Sequence, residues 1–265
     1  MAAPICTADL SACLLGAGSS STPVLEGRVA GLRTVLHVVA AGDNLALAPL
    51  PPSDTRVLFV ASGAGAVTAD GGRWRADFAA LATLALAPGA RAACALAAAP
   101  GQAAVALEVV VAGAPGDAAA AADAAARGAL PYALPYAAAP TYSEAFKSAS
   151  TVSRTLVPRG AVPRFAAGSV QAAGPDAVGE HAHPMLEQLF LGLPGCAATV
   201  TADGAEARLG AWTLLHVPLG STHGVRAGAG EAMHYVWLDL FRDLEGERWL
   251  EGHVERVERV EEGMD

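Results

Sequence analysis

What the chain lacks narrows its function first. Lys and Arg nowhere gather into more than a pair or so, and the formal net charge is −9. A nucleic-acid surface needs a stripe of cations to displace the counterions of phosphate, so nucleic acid is excluded as a partner. An anionic membrane surface is disfavoured on the same ground. No stretch approaches the ~18 unbroken apolar residues of a membrane helix. The small, apolar segment from Met1 to Thr22 has no charged region ahead of it. These absences predict a soluble, cytoplasmic protein. The four cysteines (Cys6, Cys13, Cys94, Cys196) form no CxxC pair and read as buried or idle thiols, not as a disulfide framework.

What is present is apolar material in short pieces. Hydrophobic residues make up 53% of the 265, but much of that is alanine, which buries little area, so the bulky residues mark the core better. They fall in runs broken by Gly, Pro and Asp: Arg33–Val39, Arg56–Val60, Ala64–Thr68, Ala104–Val111, Ser153–Val157, Glu187–Leu191, Ala198–Thr201, Thr213–Val217 and Met233–Leu240. Runs spaced by about ten residues, with turn signals between them, predict an all-β sandwich or barrel. Asp70-Gly71 and Asp203-Gly204 have the composition of hairpin turns, where Gly supplies a positive φ.

Those two turns lie at matching places in an internal repeat. Val57-Leu58-Phe59-Val60 through Pro88-Gly89 runs parallel to Gln188-Leu189-Phe190-Leu191 through Pro218-Leu219-Gly220. A repeat separated by more than a hundred residues is a duplicated domain and not a solenoid period. The expected organisation is a first β domain over 1–112, an Ala/Pro/Gly-rich linker over 113–140, a second β domain over 141–242 and a charged tail over 243–265. Within the linker, Asp117–Arg127 suits a short alanine helix, and Pro131, Pro135 and Pro140 keep the chain extended. In the tail, Trp249, Leu250, Val254, Val257 and Val260 suit one face of a helix.

The chemistry concentrates in Gly179-Glu180-His181-Ala182-His183-Pro184-Met185-Leu186-Glu187, answered later by Pro218-Leu219-Gly220-Ser221-Thr222-His223. On an extended chain residues two apart face the same side, so His181 and His183 point together. Glu187 shares their parity, and Leu189 and Leu191 would continue an inward apolar face. His223 sits just past a Pro-x-Gly turn that can return a later strand beside the first pair. Three imidazoles and a carboxylate around one ion leave open positions of the kind catalysis needs. Such a set prefers Mn(II) or Fe(II), with Ni, Co, Cu and Zn able to bind.

HxHxxxE followed by G-x7-P-x-G-x-x-H resembles the two signature motifs of the cupin superfamily. Residues 179 to 223 carry the resemblance. Gly192 and Gly195 stand slightly off the place of the family's glycine, Ala227 stands where an Asn is frequent, and seven residues instead of five separate Gly210 from Pro218. The resemblance implies an all-β chain of two tandem cupin double-stranded β-helix (jelly-roll) barrels. The second would hold one divalent metal through His181, His183, Glu187 and His223. Where the repeat calls for the same ligands in the first half stand Ala48 to Pro52 and Ala92-Ala93, so that half resembles a degenerate barrel without metal.

The resulting expectation is a metal-dependent enzyme acting on a small polar or anionic molecule. Glu187 would also serve as base, and dioxygenase, isomerase, lyase and hydrolase chemistry all stay open. Two-barrel relatives in the superfamily include oxalate decarboxylases and ureidoglycine aminohydrolases, and the latter are similar in layout but differ in ligand motif. The alternative is a non-catalytic ligand-binding or sensor protein that keeps its metal. A homodimer or larger assembly is expected. His216 and His234, each alone in an apolar strand, read as core or interface histidines, and His253 as solvated. Met233, Tyr235 and Trp237 alternate on the last strand and read as ordinary packing, with a cavity lining as the alternative. Arg154, Arg159 and Arg164 read as surface charge, with an anchor for a substrate carboxylate as the alternative.

Overall fold

A computed structural model describes residues 5–16, 18–79, 81–86, 94–144 and 146–248. Nearly all of its regular structure is antiparallel β, as the short interrupted apolar runs predict. The two halves repeat one topology. In the first, a sheet runs in the order Tyr132–Pro135, Ala82–Leu86, Thr55–Ser62, Ala104–Val111, Leu32–Val39, Ser20–Val24. A four-stranded sheet lies opposite, in the order Asn44–Leu47, Cys94–Ala98, Ala64–Ala69, Trp74–Ala79. The second half answers with Cys6–Asp9, Thr213–Val217, Leu186–Gly192, Ala232–Phe241, Phe165–Ala173, Val152–Val162, and opposite these Asp176–Ala182, Thr222–Ala227, Ala197–Ala202, Ala205–Gly210.

Hairpin chemistry falls where the sequence places it. Asp203 and Gly204 take φ of 48° and 81° and close Ala202 onto Ala205, while Asp70 and Gly71 take 53° and 64° in the matching turn. Asp tolerates the left-handed region because its side chain is short, and Gly because it has none.

Three apolar layers result. Leu58, Val60, Val67, Leu84 and Leu96 fill the first half, and Val170, Val200, Leu209, Leu215 and Val225 fill the second. A third layer joins the halves: Leu36, Val57, Phe59, Leu107 and Val109 pack with Leu156, Leu189, Leu191, Val236, Leu238 and Leu240. The long sheets are therefore apolar on both faces, and this accounts for the unbroken runs Leu32–Val39 and Ala104–Val111. Leu189 and Leu191 belong to the shared layer and not to the inward face expected for them.

Two edge strands cross between the halves. Cys6–Asp9 pairs with Thr213–His216 of the second half, and Tyr132–Pro135, from the linker, pairs with Ala82–Ala85 of the first. They occupy equivalent edges of the two long sheets. The linker helix Asp117–Ala126 forms as expected. The apolar tail positions Trp249, Leu250, Val254, Val257 and Val260, with His253, lie outside the described residues. Among the described residues no helix is long and apolar enough to cross a membrane. No disulfide forms among the described residues, and Cys94 and Cys196 are buried.

Gly192 ends the strand that follows the histidine pair, and a Cβ there would lie 1.9 Å from the carbonyl oxygen of Gly210. Backbone cannot yield as a flexible side chain can. Gly192→Ala is therefore expected to destabilise by about 3 kcal/mol or more, read as a lower urea midpoint at unchanged slope.

Candidate metal centre

One extra residue builds the site. Asp176–Ala182 pairs with Thr222–Ala227 in regular register as far as Val178, opposite Val225. The next recorded pair is His181 with His223, so the first strand has advanced three residues while the second has advanced two. This β-bulge turns His181, in place of Glu180, toward the interior that Val178 and Val225 line. Glycine makes room for it: a Cβ on Gly224 would lie 3.0 Å from the Val178 oxygen and 3.2 Å from Glu180 Cγ. His183 follows two residues on.

The three imidazoles converge. Ring centroids lie 4.6 Å apart for His181 and His223, 4.8 Å for His181 and His183, and 5.7 Å for His183 and His223. One nitrogen from each lies within 4.8 Å of the others. Two nitrogens bound to the same ion at ~2.0–2.2 Å stand about 3–4.4 Å apart, so the triad fits a cation with little movement. The tautomers suit it as well. His181 Nδ1 is 2.8 Å from the Gly179 carbonyl and His223 Nδ1 is 3.0 Å from that of Ser221. A carbonyl only accepts, so each Nδ1 carries the hydrogen and each Nε2 keeps its lone pair. Burial holds both imidazoles neutral: it pushes His223 down to about 4 and His181 below its ordinary value.

Glu187 does not join this group. Its Oε2 lies 2.7 Å from His216 Nε2. The reason is local. The chain turns at Pro184-Met185 and the next strand begins at Leu186, so a period of two cannot be counted across the turn. Beyond it, Leu189 and Leu191 face the shared layer, while Phe190 faces the interior with its ring 6.1 Å from that of His223. Gln188 shares the face of Phe190, and Glu187 that of Leu189. Gln188 is 6% exposed. Its Nε2 donates to Asp239 Oδ1 at 2.9 Å, and its Oε1 is buried with no hydrogen-bond partner among the described residues. Such an atom is costly unless something meets it. Burial pushes the Asp239 carboxyl up to about 7.

Sequence reasoning missed both Gln188 and Asp239. A signal existed for the second: Asp239 continues the parity of Met233, Tyr235 and Trp237, of which Met233 and Tyr235 belong to the interior cluster and Trp237 packs against it. His216 is the interface histidine expected. His234 Nδ1 meets the Pro194 carbonyl at 3.0 Å, and its ring stands edge-on to Tyr136. Arg154 lies over the Tyr136 ring at 4.8 Å. Arg164 is not surface charge: it is 5% exposed and pairs with Asp117.

The first half carries a different buried set. Glu108 faces Leu58 across the strands where Asp239 faces Gln188. It accepts from Arg56 Nε and lies 3.1 Å from His37 Nε2, and His37 Nδ1 meets Ser21 Oγ at 2.8 Å. These groups satisfy one another. Among the described residues, His181, His183 and His223 form the one group of three or more His, Cys, Asp or Glu that could hold a metal.

No family model and no curated protein matches the chain. Solved structures do match, at identities that bear on the fold alone. A cupin 2 conserved barrel domain protein from Leptotrichia buccalis is 14% identical, with a TM-score of 0.56, over 89% of this chain and 96% of its own. An oxalate decarboxylase from Lactobacillus farciminis, solved as a formate complex, is 14% identical with a TM-score of 0.62, over 85% and 82%. The protein Ylba from E. coli is 11% identical with a TM-score of 0.62, over 84% and 83%. The chain has the cupin fold.

Proposed function

We propose that this protein is a metal-dependent cupin enzyme of two tandem barrels, acting on a small polar or anionic substrate in the second. One divalent ion would be held there by His181, His183 and His223. The observation that carries the reading is the convergence of three buried or half-buried imidazoles, each with one nitrogen within 4.8 Å of the others, two of which (His181 and His223) have their Nδ1 hydrogen-bonded to a carbonyl. The first barrel, whose buried acid pairs with Arg56 and is hydrogen-bonded to His37, would serve the architecture.

For the fourth donor we favour Gln188 Oε1 over Glu187, because the amide oxygen lies buried on the interior face without a partner. Asp239 holds the amide by its nitrogen and so aims the oxygen away from itself. Three imidazoles and an amide oxygen suit Mn(II) or Fe(II), with neighbouring divalent metals able to compete. When bound, the cation supplies Lewis acidity toward a substrate carbonyl or enolate oxygen. The residues around it exclude water and position the substrate, and Asp239, ionising near neutrality, can hold or release a proton at Oδ2.

Gln188→Leu is expected to weaken metal binding about 10–100-fold in a competitive chelator titration, and Glu187→Gln less than threefold. The reverse order would make Glu187 the ligand. The function is tested by elemental analysis of protein purified without chelator, then by oxygen uptake and product screens with carboxylates and enediols. One ion per chain with turnover supports the enzyme reading, and one ion without turnover the sensor reading. Absence of metal after purification and reconstitution sinks both.

A further inference from the structure

Residues 141–144 and 146–151, which the sequence places at the start of the second β domain without giving them a role, lie beside the histidines. Thr141–Tyr142 adds an edge strand to Val152–Val162, and Lys147 makes a backbone bridge to Val178 on the strand that carries His181. The Phe146 ring stacks on His181 at 4.6 Å and 29° between planes, and the Phe146 carbonyl accepts from Gly179 N at 3.1 Å. Lys147 Nζ lies 5.6 Å over the Phe146 ring and 5.2 Å over the Tyr142 ring, donates to Ser153 Oγ at 2.9 Å and pairs with Glu144. The charges of Glu144 and Lys147 act on both His181 and Asp239.

The two partners are unequally placed. The Lys147 side chain is 7% exposed and that of Glu144 is 33% exposed. A buried ammonium needs an anion beside it, whereas a carboxylate already one-third exposed can leave for water at small cost. We propose that Lys147 is the anchor for a carboxylate of the substrate, which takes the place of Glu144 on the ammonium when the substrate enters beside the three histidines. The exchange preserves the ion pair around Lys147 and releases Glu144 to solvent. A neutral molecule of the same shape cannot make it, because it would strand the buried cation. The inference rests on the metal-site reading for where the rest of the substrate lies, and adds its class: a small carboxylate.

The test uses the full chain, with malonate and the neutral malonamide as probes, titrated calorimetrically with and without Mn(II). Lys147→Met is expected to weaken malonate binding about 10–100-fold, and Lys147→Arg to restore most of it. Glu144→Gln, which removes the competitor, is expected to tighten malonate several-fold, a gain that a structural role would not produce. Malonamide binding is expected to be the same in all four proteins. Metal content, measured on each, is expected to be unchanged by these substitutions. Malonate affinity within twofold of wild type in Lys147→Met, weaker binding in Glu144→Gln, or no malonate binding to the wild type in either state would overturn the proposal. The same dependence on Lys147 in a protein that takes up no Mn(II) would overturn the metal reading alone.

Discussion

Replacing His183 by alanine is expected to empty the site of metal while leaving the barrel folded. Substituting residues that merely orient a ligand costs 10–100-fold in affinity, so deleting one imidazole of three costs roughly a hundredfold or more. Retention of one ion per chain after dialysis would show that the convergence of the rings serves another purpose. The fold should not depend on this side chain: His183 is half-buried, and stability comes from apolar packing around Val200, Leu209 and Leu215. Without metal, the melting temperature of the variant should stay within about 4 °C of the wild-type apoprotein. Added Mn(II) should raise the wild-type value by mass action and leave that of the variant unmoved. The two melting series separate loss of a ligand from loss of the structure.

Arg164→Ala is expected to have the largest effect on stability, at about 3–5 kcal/mol. Arg164 sits with φ of 59° in the turn between Val152–Val162 and Phe165–Ala173. Its guanidinium donates through Nε to Asp117 Oδ1 and Oδ2 at 3.1 and 2.9 Å, and through Nη2 to the Ala112 carbonyl at 2.6 Å. Ala112 ends the first half, Asp117 begins the linker helix, and the turn belongs to the second half, so one side chain fastens all three. Truncation leaves the Asp117 carboxylate, 10% exposed, without its counter-charge. Removing both charges together, as Arg164→Met with Asp117→Leu, should cost less than the sum of the single substitutions, since no buried ion is then orphaned. Chemical denaturation of the four proteins reads the cycle. Full additivity would mean that the pair carries no coupling.

The triad was legible because its chemistry is rare and its spacing is local. Two histidines two apart on a strand must share a face wherever the strand sits, and a Pro-x-Gly turn ahead of His223 marks where the partner strand starts. The matching strand order of the two halves was legible for a similar reason, since the turns Asp70-Gly71 and Asp203-Gly204 stand at corresponding places and take positive φ. The edge strand Cys6–Asp9, paired two hundred residues away, was not. An edge strand of four residues with alternating half-buried and exposed positions leaves no apolar signature.

The fourth donor proposed for the metal shows the limit most clearly. Parity is a property of an unbroken strand, and Pro184-Met185 breaks this one, so the carboxylate of Glu187 and the amide of Gln188 exchange faces relative to a straight count. Nor could composition tell that Lys147 and Glu144, at the start of the second β domain, would lie against the strand of His181, because their environment is made by strands distant in the chain.

The sequence by itself determined which imidazoles could meet, where the strands run and that the two halves match in strand pattern, since each depends on residues close together along the backbone. Tertiary structure alone decided which side of each strand is interior, how one inserted residue aims His181 at His223, and which charges lie beside them. Those are outcomes of packing two apolar sheets against each other, and no short stretch of sequence encodes the partner it will face.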